Sequence, residues 1–321
     1  MQSLEVYREA FSREIQQAVP MREPRHLYEP VNYILALGGK RIRPLLTLMA
    51  AEIFGADFTK AMPAALAVEL FHNFSLIHDD IMDEAPTRRG KETVHTKWDL
   101  NTGILSGDAM LILAYQFFED YPPETFRELA KLFSKTALEV CEGQQWDVEF
   151  EHRTDVTIPE YLKMIEYKTA VLLGAALKMG GIVAGTSDRN CAGIYHFGRL
   201  LGIAFQLQDD YLDSFGDPKD FGKQVGGDII ENKKTFLYLK AFEFADDNQR
   251  AELSQLFSTN TEDKVDRVKA IFTATRAADA IREEVRNYTA EAFRHLDTME
   301  ISPVAKQALT KFGEGLMNRT M

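Results

Sequence analysis

Apolar side chains recur at three- and four-residue intervals along almost the whole chain. Leu45, Leu48, Met49, Ile53 and Phe54 form one such stripe, Leu66, Leu70, Phe74 and Ile77 a second, and Leu200, Ile203, Ala204 and Leu207 a third. That spacing returns side chains to one face of a helix. Strand-like alternation bounded by turns is scarce, and there is neither an internal repeat nor a low-complexity stretch. The pattern predicts helices separated by breakers: Pro20 and Pro24, Gly38-Gly39, Gly55-Ala56-Asp57, a loop from Pro86 to Lys97, Pro122-Pro123, and Gly216-Asp217-Pro218. Segments 2–18 and 262–296 read as amphipathic helices. Ile104–Phe118 and Val171–Val183 are apolar on more than one side, which places such helices centrally in a bundle or at a subunit interface. No linker is long or polar enough to divide the chain. The expected architecture is one all-α domain over residues 1–321, with roughly ten or more helices, an inner bundle wrapped by amphipathic ones.

Composition narrows the function classes. The chain has 321 residues, 45% hydrophobic and 27% charged, an ordinary globular balance. Its net charge of −12, from 49 acidic and 37 basic residues, argues against a general nucleic-acid binder. Cys141 and Cys191 make no disulfide framework and point to a reducing cytoplasm. The first residues, MQSLEVYREAFSREIQQ, have no apolar signal core. The most apolar run, Val171 to Gly185, is interrupted by Lys178 and is too short to span a bilayer, so a soluble protein is expected.

Candidate chemistry begins at Asp79-Asp80-Ile81-Met82-Asp83. At i, i+1, i+4 spacing on a helix, Asp79 and Asp83 stack on one face and Asp80 sits to one side. The preceding run, LAVELFHNFSLIH, is apolar and helical, so the three acids crowd the C-terminal end of a core helix. Negative charge there opposes the helix dipole, and the carboxylates repel one another. Divalent cations offset both effects. Oxygen-only ligands with a phosphate completing the shell favour magnesium. One such cluster is just as well a solvated acidic helix end. Asp209-Asp210-Tyr211-Leu212-Asp213 repeats the spacing after a second apolar helical run, GRLLGIAFQLQ. Two matches of this kind argue that the trios face each other and clamp metal ions and a diphosphate.

Phosphate also requires cations. Gly38-Gly39-Lys40-Arg41-Ile42-Arg43-Pro44 packs three of them at a helix start, where unpaired N–H groups favour anions. Arg88-Arg89-Gly90 follows the first aspartates, and arginines bind phosphate oxygens in pairs. Lys168-Thr169, Lys223 and Lys233-Lys234-Thr235 add further charge. Each alone reads equally as solvated surface.

The ordered motifs GGKRIRP, SLIHDDIMDEAPTRRG, FQLQDDYLD and GKQVGGDIIENKKT resemble those of the trans-isoprenyl diphosphate synthases, the polyprenyl synthetase family. The resemblance runs from about residue 38 to 235 and is closest to short-chain members. It implies the all-α isoprenoid synthase fold, a homodimer and three magnesium ions. It implies that Lys40, Arg43, His72 and Arg89 bind isopentenyl diphosphate. Arg88, Lys168, Thr169, Gln206, Lys223 and Lys233 would hold the allylic diphosphate (dimethylallyl, geranyl or farnesyl). Asp79 and Asp83 would bind two of the ions and Asp209 the third, with Asp80, Asp210 and Asp213 acting directly or through water. Gly143, Gln144 and Asp147 match a family pattern lining the cavity, and Arg319 is a further candidate contact to isopentenyl diphosphate.

The implied reaction is loss of diphosphate from the allylic substrate, attack by the isopentenyl double bond on the resulting cation, and loss of a proton. Its catalysis is electrostatic preorganisation in a site that excludes water. The growing tail would run down the helix that ends at Asp79. Phe74 lies five residues before Asp79, about 7 Å down, and Phe71 eight before, about 12 Å down. Phe71, Phe74 and Ser75 are therefore the candidate determinants of product length, although both rings read equally as ordinary core. An aromatic residue at Phe74 resembles synthases making fifteen or twenty carbons. The expected product is geranylgeranyl diphosphate, with farnesyl diphosphate as the alternative.

Three other readings compete. A terpene cyclase would lack GGKRIRP and the arginine pair, and would carry a different second metal motif. A His-Asp metal phosphohydrolase would need histidines at helical spacing that the seven present do not supply. A non-catalytic partner subunit would have lost one aspartate trio. His78, next to Asp79, reads as a helix-end packing residue in preference to a metal ligand, and Trp98 and Trp146 as core or interface anchors.

Overall fold

A computed structural model describes residues 1–216, 226–259 and 261–317. Helices account for nearly all of the regular structure, as the apolar periodicity predicts. The first half holds α1 (Leu4–Ile15), α2 (Arg25–Ala36), α3 (Ile42–Ile53), α4 (Met62–Met82), a short α5 (Val94–Lys97), α6 (Leu100–Gln116) and the long α7 (Pro123–His152). Then come α8 (Ile158–Ile165), α9 (Val171–Val183) and α10 (Asp188–Phe215). After these lie α11 (Gly227–Ile230), α12 (Phe236–Phe244), α13 (Asp247–Leu256), α14 (Lys264–Ala274), α15 (Ala277–Thr298) and α16 (Pro303–Met317). Among the described residues no helix is long and apolar enough to cross a membrane.

The chain divides into two compact units. One comprises Met1–Ala137 with Ala175–Tyr195, the other Leu138–Gly174 with His196–Met321. In the first, α4 is the axis. Its Leu66, Val68, Leu70, Phe71 and Ile77 are buried, and α3 contributes Leu45, Leu46, Leu48 and Met49. In the second, Leu200, Leu201, Ile203 and Leu207 of α10 are buried together with Ile281, Val285 and Leu296 of α15.

Two local features depart from the sequence pattern, and a third bears on the placement of α6. The helix expected over 262–296 is two helices, because Arg276 adopts a left-handed conformation with φ 62°. The Thr275 hydroxyl donates to the carbonyls of Ile271 and Phe272 there, offering the backbone an alternative to helix continuation. No glycine or proline marks that break. The basic loop contains a small hairpin, β1 (Thr87–Arg88) against β2 (Lys91–Glu92). Finally, α6 is not enclosed on all sides: Leu105 and Ile112 are 58% and 60% exposed.

Candidate functional site

The first aspartate trio lies where the apolar run ends. Asp79 and Asp80 occupy the last turn of α4, and Asp83 is its C-cap, donating its N–H to the Asp79 carbonyl at 2.9 Å. The helical spacing separates the three carboxylates by environment. Asp80 is 1% exposed, Asp79 is half-buried and Asp83 is exposed. Arg88 holds the buried one: its Nε lies 2.9 and 2.8 Å from the two Asp80 oxygens, and its Nη2 is 2.7 Å from Oδ1. Burial raises the Asp80 pKa in spite of this pairing.

Arg88 and Arg89 are presented by the hairpin. Its register pairs Arg88 with Lys91, leaving Arg89 and Gly90 as a two-residue turn in which both have positive φ, 54° and 73°. That is the geometry favoured by a tight hairpin. An arginine held left-handed in it is locally strained, as residues at binding sites often are. The Arg89 guanidinium lies over Gly39 and donates to the Gly38 carbonyl. A Cβ on Gly39 would come within 2.8 Å of that guanidinium, and Gly39 itself sits at φ 123°. The doublet Gly38-Gly39 is therefore the bed on which Arg89 rests.

Arg43 of α3 lies 3.2 Å from Nε2 of His72 on α4. Burial, with Arg43, Arg89, Arg88 and Arg41 around it, holds the His72 pKa well below its usual value. The ring is neutral, so Nε2 accepts the proton of Arg43. Lys40 is exposed at the head of α3. Arg41 behaves differently from its two neighbours. It turns inward to Glu69 and the Leu35 carbonyl, and Asn73 donates to the same Glu69 at 3.0 Å. Of the three cations in GGKRIRP, Arg41 is thus internal structure.

Further up α4, Phe71 and Phe74 are buried with ring centroids 5.5 Å apart. Phe71 also meets Phe133 edge-on at 5.2 Å. The Ser75 hydroxyl donates to the His72 carbonyl at 2.8 Å. His78 meets the Phe74 ring, and its Nε2 is 3.2 Å from the Ile104 carbonyl, a packing role at the helix end.

The second trio is on α10. Asp210 and Asp213 are buried and Asp209 is half-buried. Asp210 accepts from the Tyr161 hydroxyl and, at 3.1 Å, from the Gln206 amide. Its pKa is raised well above the usual carboxylate range by burial first and then by the Asp228 charge. Asp213 accepts the N–H of Asp228 at 3.0 Å on its carboxylate, and its carbonyl accepts the N–H of Gly226 at 2.6 Å. It therefore fastens the start of α11.

Lys168 and Thr169 lie in a π-helical turn, Glu166–Ala170, between α8 and α9. Such turns are rare and collect at functional sites. Here α7 packs backbone against backbone on the turn at Gly143: a Cβ there would be 2.3 Å from the Lys168 nitrogen. Lys168 pairs with Asp147 and Thr169 donates to Gln206 at 3.0 Å. Together with Tyr161, Asp210, Asp228, Lys233 and Lys234 they line a cavity of about 100 Å³. Lys233 pairs with Glu231 at 2.9 Å, while Lys234 donates to the Phe150 and Glu151 carbonyls at 2.8 Å and so closes the end of α7. Lys223 and Arg319 fall outside the described residues.

Sequence reading passed over Tyr161 and Asp228. Tyr161 stands seven residues before Lys168, but what marks it is its tertiary partner Asp210, which the sequence does not show. Asp228 sits within the quoted GKQVGGDIIENKKT segment, but its partner Asp213 is a tertiary neighbour.

The donors exposed or half-exposed at both trios are carboxylate oxygens, a hard set suited to a hard divalent cation. Among the described residues no three His, Cys, Asp or Glu side chains are grouped to hold an ion by themselves. An ion at either trio needs oxygens from elsewhere, which a diphosphate supplies.

Comparison with known proteins gives a consistent family. The polyprenyl synthetase family model matches residues 24–275. The chain is 37% identical over 312 residues to the geranylgeranyl pyrophosphate synthase of Geoglobus acetivorans, covering 96% of this chain and 95% of that one. It is 43% identical over 231 residues to the geranylgeranyl diphosphate synthase of Methanosarcina mazei, covering 71% of each. A crystal structure of a geranylgeranyl pyrophosphate synthase superposes with a TM-score of 0.96 at 53% identity over the full length of both chains. With its all-α isoprenoid synthase fold and ordered aspartate and arginine motifs, this chain belongs to the polyprenyl synthetase family.

Proposed function

We propose that the protein condenses isopentenyl diphosphate with an allylic diphosphate, head to tail and in trans, to give geranylgeranyl diphosphate. The observation that carries this reading is the repeated trio. On two separate helices an i, i+1, i+4 set of aspartates has its middle member buried and fastened by protein donors, with basic residues nearby. In this reading both units act as one catalytic domain.

Arg43, Lys40 and Arg89 bind the isopentenyl diphosphate, and neutral His72 orients Arg43. Arg88, Lys168, Thr169, Gln206, Lys223 and Lys233 take the allylic diphosphate. Asp79, Asp83 and Asp209 would hold three magnesium ions, which would supply charge neutralisation on the departing diphosphate. Lys168, Lys233 and Arg88 stabilise the same developing charge from the protein side. The side-chain dipoles of Thr169 and Gln206 steady the cation. The closed apolar wall of Phe74 and Phe71 keeps water from capturing it. No motif side chain is placed as the final base, so the released diphosphate takes the proton.

Phe74 is the floor that sets product length. Farnesyl diphosphate is the second reading, because an aromatic residue at Phe74 resembles synthases of fifteen as well as of twenty carbons. The exposed Leu105 and Ile112 of α6 support a homodimer, and the free Cys141 and Cys191 support a reducing cytoplasm.

The test is to incubate purified protein and magnesium with isopentenyl diphosphate and each of dimethylallyl, geranyl and farnesyl diphosphate, then identify products by mass spectrometry. The expected product is a twenty-carbon diphosphate. No elongation from any starter, or a cyclic hydrocarbon, contradicts the reading.

A further inference from the structure

The Asp210 carboxylate has each oxygen engaged by a protein donor. Oδ1 accepts from the Gln206 amide at 3.1 Å and Oδ2 from the Tyr161 hydroxyl. Because Gln206 gives its N–H to Asp210, it must turn its oxygen to Thr169, whose hydroxyl donates to it at 3.0 Å. A continuous chain therefore runs Tyr161, Asp210, Gln206, Thr169, and it ends beside Lys168 on the cavity wall.

Tyr161 and Asp210 are 2% and 4% exposed, so water competes little for either. The Tyr161 hydroxyl is the donor in this contact and an Asp210 oxygen the acceptor. A ring whose only task was to fill the core would not need a hydroxyl under a buried carboxylate.

We propose that Tyr161 is a positioning residue for the allylic diphosphate: its hydroxyl fixes the Asp210 carboxylate, Asp210 fixes the Gln206 amide, and Gln206 fixes the Thr169 hydroxyl in the wall of the cavity. The inference rests on the reading that Lys168 and Thr169 receive that diphosphate.

The experiment compares the full chain with Tyr161→Phe, Asp210→Asn and the double variant. It measures steady-state kinetics for both substrates, calorimetric binding of inorganic pyrophosphate with magnesium, and the unfolding midpoint. Loss of one buried hydrogen bond is worth about a tenfold change. Tyr161→Phe is expected to raise the allylic KM and weaken pyrophosphate binding about tenfold. The KM for isopentenyl diphosphate should change less than about twofold. In the Asp210→Asn background Tyr161→Phe is expected to add nothing further, since its effect passes through Asp210.

An unchanged allylic KM, losses that multiply in the double variant, or an equal rise in both KM values overturns the proposal. If Tyr161→Phe does not fold, Gln206→Met tests the next link of the chain, and an unchanged allylic KM there overturns the proposal equally. Should the wild-type chain bind pyrophosphate but form no prenyl product, the proposed function fails, and the binding cycle still decides the role of Tyr161.

Discussion

At the end of α4, buried Asp80 is held by the guanidinium of Arg88; on α10, buried Asp210 is held by a phenol and an amide. The local pattern is the same and the donors that hold the middle aspartate differ. Around the first trio the neighbours are cations, with Arg43, Arg88 and Arg89 near neutral His72. Around the second they include further acids, Asp228 and Asp147. A carboxylate among arginines is held by charge. Asp210 is held by a neutral phenol and a neutral amide, and burial first and then the Asp228 charge raise its pKa well above the usual range. The difference teaches that the middle aspartate of each trio is an internal post, while Asp79, Asp83 and Asp209 are the members left half-buried or exposed and Asp213 is itself buried.

The comparison breaks most severely at Asp79. Asp79→Ala removes a proposed ion ligand, and turnover is expected to fall at least about 10²–10³-fold. An unchanged turnover number in steady-state assays removes Asp79 from the site. Gly143→Ala acts on the second region alone. Its methyl would stand 2.3 Å from the Lys168 nitrogen, so the π turn must shift. A displacement of about 1 Å there is expected to cost about a hundredfold in kcat/KM for the allylic substrate, with isopentenyl diphosphate KM little changed. Equal effects on both substrates would show that the region does not act separately.

Phe74→Ala tests the apolar wall beside the first trio. Products are expected to lengthen by one or more five-carbon units on chromatography, and stability to fall by about 3–5 kcal/mol in denaturant titration. An unchanged product distribution rejects Phe74 as the floor.

The smallest effect concerns His72 and sharpens the contrast between charged and neutral surroundings. Its folded pKa lies below the about 6.5 of an unfolded chain. Between those two values the unfolded state binds the extra proton, so stability falls as pH drops through the window and levels off below the folded value. Each unit of depression contributes about 1.4 kcal/mol. His72→Gln is expected to flatten this part of the stability–pH curve, followed by urea unfolding from pH 4 to 8. An identical curve for both proteins would show that the ring is not held neutral.

What the sequence carries well is local. Apolar periodicity ending at Asp79 and Asp209 locates both trios, and Val171–Val183 is a helix with those bounds. What it carries poorly depends on distant partners. Arg41 reads like its neighbours Lys40 and Arg43, yet turns inward to pair with Glu69, which is buried on another helix a turn before Asn73. The break at Thr275-Arg276 has no glycine or proline to announce it and arises from a hydroxyl competing for helix carbonyls. The π turn at Lys168 follows from close packing at Gly143, which a sequence shows only as a glycine in a helix.

The central claim is that both trios serve one diphosphate-dependent set of ions. The direct measurement is to count manganese ions bound by the wild-type chain, Asp79→Ala, Asp209→Ala and the double variant, by electron paramagnetic resonance with and without inorganic pyrophosphate. The account predicts that pyrophosphate-dependent binding collapses in either single variant and that the double variant is no worse. Partial losses that simply add in the double variant would mean two independent acidic sites, and would contradict it.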